Sequence, residues 1–334
     1  MIRSIRFVSF FLTALLLQSC FKKDEMITPH ARGDVKTDTI RITENYIYQV
    51  YYDLDSGKVV SSNEKTSADL GFECKPDGFH VLLNTSDFMK AADLGAVPFA
   101  VPYDTTGLKM NFDKSDGNTD STAIGVWFAV NGSDTVSNNH VYAVNRGLNE
   151  AGNPLGLYQV IFDSLKNGTY FFRYALLRGG AVSSGSVTKD PSVNYLFFSF
   201  QSGSVQRLEP PKPSYDLLFT QYTTMLYTEK GIPYPYLVTG ALINPTRVLA
   251  IADTTHPFSD ITFDFASSLI LTHNLDAIGY NWKYYNFSSG AYTIRPRLVY
   301  IIRGSKGYYY KLRFIGFYDN AGRKGYPVIE YVRL

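Results

Sequence analysis

Alternating apolar and polar positions run through most of the chain and predict antiparallel β-hairpins. Leu157–Leu165 and Thr169–Leu177 alternate on either side of a Lys-Asn-Gly turn, a combination typical of a hairpin. Near the C-terminus Tyr310–Tyr318 alternates in the same way, and Val328–Val332 returns after a turn that contains two glycines. The pattern therefore predicts an all-β fold.

Other segments extend this prediction and add a few short helices. Tyr46–Asp53 and Lys58–Ser61 flank a Ser-Gly turn and predict another hairpin. Ser86–Leu94 and Asn244–Ala252 are predicted as short helices, the second because Asn244-Pro245 supplies a cap and a first helical position.

Four segments recur in the same order, and this predicts an internal duplication. The matched segments are Tyr51–Gly57 with Phe197–Gly203, Ala68–Phe72 with Tyr215–Phe219, Ala123–Trp127 with Ala277–Trp282, and Tyr158–Phe162 with Tyr310–Phe314. We predict two tandem antiparallel β domains, residues 37–180 and 190–334, joined by a Gly/Ser-rich linker within Gly179–Ser192. The two tryptophans of the chain are expected to be core residues.

The N-terminus predicts a secreted lipoprotein. Arg3 and Arg6 precede the apolar run Phe7–Leu17, which has the length of a signal-peptide core and is too short to span a bilayer. Leu17–Cys20 resembles the bacterial lipobox, in which a small residue precedes the cysteine that receives the lipid. We predict a signal peptide over residues 1–19, lipidation of Cys20, and a flexible stalk over residues 20–36.

The charged stretch after the cysteine bears on location. Phe21–Glu25 holds two lysines followed by two acids, and it resembles the export signal that sends Bacteroidetes lipoproteins to the outer face of the outer membrane. A solvated tether explains the same residues. The resemblance implies an outer-membrane lipoprotein exposed at the cell surface.

Composition excludes several classes of function. Loss of Arg3 and Arg6 with the signal peptide lowers the formal charge of +2 to zero, which argues against nucleic-acid partners. Cys74 is the one cysteine left besides Cys20, so the body has no internal disulfide. We find no nucleophile elbow, phosphate loop or metal-protease motif, so no enzyme activity is expected.

The repeated landmarks resemble the HmuY family of Bacteroidetes haem-binding lipoproteins. The resemblance lies in the Asp-apolar strands Ala68–Phe72 and Tyr215–Phe219, the strands ending at Trp127 and Trp282, and the terminal hairpin Tyr300–Leu334. It implies an all-β body at the cell surface that captures haem or a related porphyrin for iron acquisition. It also implies delivery to a TonB-dependent outer-membrane receptor.

The same resemblance implies iron ligands. Known members hold the iron between two histidines, and His256 lies at about the upstream position. The downstream position falls at Asn286 or Phe287 in the second copy and at Asn131-Gly132 in the first, so that ligand is missing. Relatives also use methionine, but none lies at these places. His273 is the candidate replacement, and we predict His256 and His273 as the haem-iron ligands.

Two functions remain open from the sequence. The first is haem or porphyrin capture through His256 and His273. The second is a non-catalytic cell-surface binding or scaffold lipoprotein that recognises a protein, peptide or glycan through tyrosine-rich faces. The second explanation treats His256 as a solvated loop residue.

Overall fold

Antiparallel β-strands account for almost all regular structure in the computed structural model, which describes residues 33–131 and 134–334. This confirms the all-β prediction. The strands are β1 (Lys36–Thr39), β2 (Tyr48–Asp53), β3 (Lys58–Glu64), β4 (Leu70–Glu73), β5 (Val81–Leu83), β6 (Lys90–Asp93), β7 (Phe128–Asn131), β8 (Asp134–Ser137), β9 (Val141–Asn145), β10 (Leu157–Lys166), β11 (Thr169–Leu176), β12 (Ser183–Thr188), β13 (Tyr195–Ser199), β14 (Ser204–Gln206), β15 (Leu217–Tyr227), β16 (Pro233–Ile243), β17 (Leu249–Asp253), β18 (Lys283–Asn286), β19 (Ala291–Ile294), β20 (Val299–Arg303), β21 (Tyr309–Tyr318) and β22 (Lys324–Arg333). Among the described residues there is one α-helix, α1 (Phe263–Ser268), with 3₁₀ turns at Lys65–Ser67, Thr85–Asp87, Thr119–Ser121 and Lys212–Ser214.

The N-terminal predictions fall mostly outside this range. The predicted signal peptide, residues 1–19, and the lipidation residue Cys20 lie outside the described residues. The end of the predicted stalk is ordered, because the Gly33 N–H donates to the Arg333 carbonyl at 3.1 Å and β1 begins at Lys36. In the described part of the chain no helix is long and apolar enough to cross a bilayer.

Four sheets form two sandwiches. The first sandwich has a seven-stranded outer sheet, in which β12-β11-β10-β9-β6 lie in that order and β8, paired with β7, also joins β10. Its inner sheet has the order β14-β13-β4-β5. The second has an outer sheet β1-β22-β21-β20-β17 and an inner sheet β3-β2-β15-β16. The two inner sheets line a common cavity. The order of the other strands in the second sandwich repeats that in the first, but within the described residues β7 and β8 have no counterpart in the second outer sheet, and β18–β19 forms a separate two-stranded sheet.

Each sandwich is filled by aromatic side chains around one tryptophan, as the sequence predicts. In the first, the fully buried Trp127 packs on Phe162 at a ring-centroid distance of 5.3 Å, and its indole N–H donates to the Phe79 carbonyl at 2.8 Å. In the second, Trp282 stacks on Phe314 at 4.0 Å. Truncating such a buried ring typically lowers the free energy of unfolding by about 3–5 kcal/mol. Each tryptophan therefore contributes strongly to the stability of its sandwich.

The two inner sheets exchange hairpins. The hairpin β2–β3 comes early in the chain, yet β2 pairs with β15 of the second inner sheet, Tyr52 lying opposite Leu217. Conversely β13 pairs with β4 of the first inner sheet, Phe198 lying opposite Leu70. Strand β1 also joins β22 at the other end of the chain. Strands from both predicted repeats therefore occur in both sandwiches.

Both helix predictions are wrong, because each of the two segments forms an edge strand. Within Ser86–Leu94 the chain leaves the 3₁₀ turn and forms β6, and within Asn244–Ala252 it forms β17. Ala91 and Ala250 are fully buried there. Short apolar runs fit helix and strand equally well until the neighbouring strand is known, and here β9 and β20 supply it. The predicted linker Gly179–Ser192 likewise contains β12, which pairs with β11.

Candidate ligand-binding cleft

The two predicted iron ligands are both exposed side chains between β17 and β18. His256 Nδ1 lies 2.7 Å from Asp253 Oδ2, and its ring contacts Phe265 at a centroid distance of 4.3 Å. His273 follows Thr272, whose backbone bridges to Ala250. His256 is thus tied to a carboxylate by its own loop.

The backbones of the two histidines lie near opposite ends of β17, although both residues are in loops outside the strand. His273 lies next to the residue that faces Ala250, on the side of Leu249, whereas His256 is bonded to Asp253 at the other end of the strand. Four strand residues span about 13 Å. No cluster of three metal-ligating side chains occurs within 33–131 and 134–334.

The downstream ligand positions also hold no ligand in the structure. Phe287, in the turn between β18 and β19, is 89% exposed. Asn131 ends β7 and is exposed, and Gly132 lies outside the described residues. The downstream ligand that is missing from the sequence is therefore missing from these places in the structure as well.

A cleft of about 630 Å³ opens elsewhere, beside the hairpin β15–β16. The segment Lys109–Asp116 forms one wall, and the other is formed by Pro235 of β16 and four residues of β15, Thr223, Thr224, Met225 and Tyr227. Its volume lies inside the range of about 300–1,000 Å³ that is usual for small-molecule sites. We refer to it as the ligand-binding cleft.

Hydrogen bonds link the two walls of the cleft. The Ser115 hydroxyl donates to Asp276 Oδ2 at 2.6 Å and lies 2.9 Å from the Thr224 hydroxyl. The Asp113 carboxylate accepts the backbone N–H groups of Leu83 and Ala123, both at 2.7 Å. Burial raises the pKa of Asp113 to about 6. The Lys109–Asp116 wall is therefore fixed to both sandwiches.

The two walls each present a methionine and an aromatic ring. Met110 lies on the first wall with Phe112, whose ring packs on Phe88 at 4.9 Å. Met225 lies on the second, 46% exposed, with Tyr227, which is 67% exposed. Thioether sulfur is a soft ligand that binds haem iron in proteins, and aromatic faces suit a flat ring system.

A comparison of the sequence with models of known protein families shows to which family the chain belongs. The model described as "HmuY protein" matches residues 45–331. The chain belongs to the HmuY family. Among solved structures, apo PinO from Porphyromonas gingivitis is similar at 10% identity and a TM-score of 0.29, over 90% of this chain and 98% of that one. The apo HmuY analog of Tannerella forsythia is 9% identical, with a TM-score of 0.26 over 91% and 98%. No curated protein matches the chain.

In this HmuY family member, sequence reasoning missed the cleft methionines. Met110 and Met225 lie in different predicted repeats, and neither occupies a predicted ligand position. No spacing motif joins them, because they line one cleft only after the hairpin β15–β16 packs beside the Lys109–Asp116 segment. The one usable signal was that the family also uses methionine, combined with the presence of only five methionines in the chain.

Proposed function

We propose that this protein binds haem or a related porphyrin in the ligand-binding cleft. The observation that carries the proposal is that Met110 and Met225, one on each wall, line a single cleft with aromatic neighbours. Two thioethers suit an iron that is carried rather than used for chemistry. Membership of the HmuY family supports the same ligand class.

The rim of the cleft supports a ligand that carries carboxylates. Lys109 and Lys114 belong to the same wall and are exposed. Haem presents two propionates at one edge, and ammonium groups on flexible stems pair with such groups at low cost when exposed. Apolar walls for the ring and cations for its acidic edge therefore occur in one place.

The predicted ligands His256 and His273 make a second hypothesis for the iron. Each is accessible to a ligand outside the cleft, and neither lines it. One exposed imidazole with no enclosing pocket gives weak attachment, because the hydrophobic ring of haem stays in water. We therefore rank the methionines ahead of the histidines.

Titration of purified residues 21–334 with haemin tests both hypotheses. We expect a saturable Soret shift, with binding weakened about tenfold or more in Met110→Leu and Met225→Leu. Leucine preserves the volume and removes the sulfur. His256→Ala and His273→Ala are the controls and should bind as the wild type does. Loss in the histidine variants alone would support the histidine ligands, and no shift at micromolar haemin would reject haem binding.

A surface binding or scaffold role is the alternative, and one observation favours it. The free end of the hairpin β15–β16 exposes apolar side chains: Tyr227 at 67%, Ile232 at 59% and Tyr236 at 51%. Such a patch is typical of a contact with another macromolecule. This role predicts capture of a protein, peptide or glycan that is lost in Tyr236→Ser and unchanged in Met110→Leu.

The cellular setting is part of the proposal. We propose lipid anchoring through Cys20 at the outer membrane, exposure on the cell surface, and delivery of the ligand to a TonB-dependent receptor. The support is the lipobox-like Leu17–Cys20 and the charged Phe21–Glu25. Cys20→Ala should release the protein from the membrane fraction, and protease added to intact cells should degrade the anchored wild-type protein.

We also propose that the two sandwiches arose by duplication with exchange of the first hairpin of each copy. The support is the matching order of five outer and four inner strands in the two sandwiches and the equivalent isolated bridges, Ala91 to Asn111 and Ala250 to Thr272. Gly125 and Gly279, one residue after matched isoleucines, both have positive φ, 67° and 65°.

A further inference from the structure

A groove of about 860 Å³ runs along the second outer sheet, where β1 lies beside the turn between β21 and β22. Thr37–Thr39 and the chain just after it line one side of the groove. Tyr318–Ala321, Arg323 and Tyr326 line the other side. The groove shares no lining residue with the ligand-binding cleft. We call it the outer groove.

Strand alternation places the groove on the outward face of the sheet. In β22, Ile329 and Tyr331 enter the core of the second sandwich, so Tyr326 and Val328 face outward. Thr39 of β1 lies opposite Val328, and residues directly opposite each other share a face. The outer groove therefore opens to solvent and not to a core.

Several polar side chains of the groove are free to bind a ligand. The hydroxyls of Thr37 and Thr39 and the amide of Asn320 are exposed and make no hydrogen bond within the part of the chain that the structure describes. The same holds for the hydroxyl of Tyr326 and the guanidinium of Arg41. Hydroxyl and amide groups both donate and accept hydrogen bonds. The groove therefore suits a ligand that does both as well.

One carboxylate holds the turn that closes the groove. Asp319 Oδ1 accepts the backbone N–H groups of Ala321 and Arg323, at 3.0 and 2.9 Å. Asp319 Oδ2 pairs with Arg323 Nη2 at 2.7 Å. The same guanidinium lies over the ring of Tyr326, 5.8 Å from its centroid. This wall is thus formed before a ligand arrives, which lowers the cost of ordering on binding.

The charges that line the groove cancel. Arg41 and Arg323 are matched by Asp38 and Asp319. Arg323 neutralises Asp319, and Asp38 accepts the hydroxyl of Tyr52 at 3.1 Å. A strongly charged ligand of either sign would meet as many like charges as opposite ones. The balance of charge therefore favours a neutral ligand.

The free edge of β1 is a poor template for an added peptide strand. The Ile40 N–H donates to the Pro327 carbonyl on the β22 side, so the N–H of Thr39 points to the free edge. There it donates to Asp38 Oδ1 at 2.7 Å. The strand is also only four residues long. Short edge strands that carry charged side chains resist pairing with another chain, so side chains and not the strand edge remain to bind a ligand.

We propose that the outer groove binds a neutral oligosaccharide. A sugar ring has a face of C–H groups, which packs on a tyrosine ring, and a rim of hydroxyls, which both donate and accept. Tyr326 contacts the ring face. The sugar hydroxyls pair with Thr37, Thr39, Arg41 and Asn320. The volume lies in the upper part of the usual range of about 300–1,000 Å³, which suits more than one sugar ring.

Isothermal titration of residues 21–334 with maltohexaose, laminarihexaose and mannohexaose tests the proposal. These are neutral hexose chains of different linkage, and we expect saturable binding of at least one at millimolar concentration. Affinity should fall about tenfold in Tyr326→Ala, which loses the ring, and about threefold in Arg41→Ala and Asn320→Ala, which are exposed positions. Tyr326→Phe should keep most of the affinity. Tyr234→Ala, at a tyrosine that is 39% exposed outside the groove, is the matched control and should bind as the wild type does.

Two further measurements identify the class of ligand and separate this site from the cleft. Hexagalacturonate, an acidic sugar chain, should bind no more tightly than the neutral sugars. Raising the salt concentration from about 50 to about 500 mM should change the affinity for the neutral sugar less than twofold, because no net charge is neutralised. Tyr326→Ala should bind haemin as the wild type does, so the failure of either proposal leaves the other standing.

Several results would overturn the proposal. Absence of saturable heat with all three neutral sugars is one, and equal affinity of the wild type and the Tyr326→Ala, Arg41→Ala and Asn320→Ala variants is another. Tighter binding of hexagalacturonate would indicate an anion site instead. Binding of the oxidised insulin B chain, an extended peptide, without binding of any sugar would indicate strand pairing at β1. In crystals soaked with the sugar that binds, density for a sugar ring on Tyr326 is expected, and density only elsewhere would contradict the proposal.

Discussion

Asp69 and Asp216 perform the same task in the two sandwiches. Asp69 Oδ2 accepts the backbone N–H of Phe200 at 2.7 Å, and Asp216 Oδ2 accepts that of Leu54, also at 2.7 Å. In each case the accepted N–H follows the strand of the exchanged hairpin. The two carboxylates therefore clamp each hairpin to the sandwich that it joins.

The second carboxylate oxygens of Asp69 and Asp216 have different partners, so we predict that replacing the two residues lowers stability by unequal amounts. Asp69 Oδ1 pairs with the buried Arg146 Nε at 2.6 Å, whereas Asp216 Oδ1 accepts the backbone N–H of Ser305, a neutral donor, at 2.6 Å. We expect Asp69→Asn to lower the free energy of unfolding by about 3–5 kcal/mol, because a buried guanidinium loses its countercharge. Asp216→Asn should cost about 1–3 kcal/mol. Urea unfolding measures both, and equal losses would contradict the interpretation.

A buried lysine predicts a dependence of stability on pH. Lys283 Nζ donates to the Thr239 carbonyl and lies over the rings of Trp282, Phe317 and Tyr292, at 4.0, 4.7 and 5.5 Å from their centroids. Burial lowers the pKa of Lys283 to about 7. Between this value and the unfolded pKa the unfolded chain binds more protons, so stability rises with pH.

Lys283→Met removes that dependence. Between pH 7.5 and 9.5 we expect the stability of the wild type to rise relative to that of the variant by up to about 1.4 kcal/mol per pH unit. At pH 6 the variant should be the more stable of the two. Lys324→Met, at an exposed lysine, is the control and should follow the wild type. Parallel pH profiles of wild type and Lys283→Met would disprove the proposed burial of the amine.

Two glycines in one loop provide a matched test of backbone packing. Gly147 and Gly152 both have positive φ, 75° and 79°. A Cβ at Gly147 would overlap the Asp87 carbonyl, whereas one at Gly152 meets nothing within 4 Å. Gly152→Ala should cost about 1–2 kcal/mol for the left-handed backbone alone. Gly147→Ala should cost clearly more, and thermal unfolding of the two variants decides between this result and a purely conformational effect.

The exchange of hairpins predicts how a nicked chain behaves. A protease site inserted between Gly179 and Gly180, in the loop before β12, cuts the chain between the predicted repeats. The β2–β15, β4–β13 and β1–β22 pairings cross that cut. We expect the two fragments to elute together in size-exclusion chromatography and to separate only in denaturant. Separation in native buffer would instead support two independent domains.

The sequence predicted what local patterns determine. The hairpins β2–β3, β10–β11 and β21–β22 and the buried positions of Trp127 and Trp282 are confirmed, because alternation and turn residues specify them locally. The exchange of hairpins was not predicted, since the choice of β15 or β4 as a partner depends on contacts more than a hundred residues away. The edge strands β6 and β17 were missed because their short apolar runs fit helix and strand equally well until the partner strands β9 and β20 are known.

The candidate site was harder to predict than the fold. Its two walls come from Lys109–Asp116 and from β15, and only tertiary packing brings Met110 and Met225 to one cleft. His256 was predicted from its position upstream of Trp282 and His273 as the replacement for the missing downstream ligand, and neither criterion says which way a loop faces. A ligand set built from distant segments leaves no periodic signal in the sequence.

The pairing of β1 with β22 has a consequence for the time course of folding. Lys36 lies opposite Tyr331, so the edge of the second outer sheet closes only when residues near 331 are available. The hairpin β2–β3 must likewise wait for β15. Contacts of such long range slow folding. A chain that emerges with its N-terminus first would keep β1, and the edge of β2 that faces β15, unpaired until the late strands arrive.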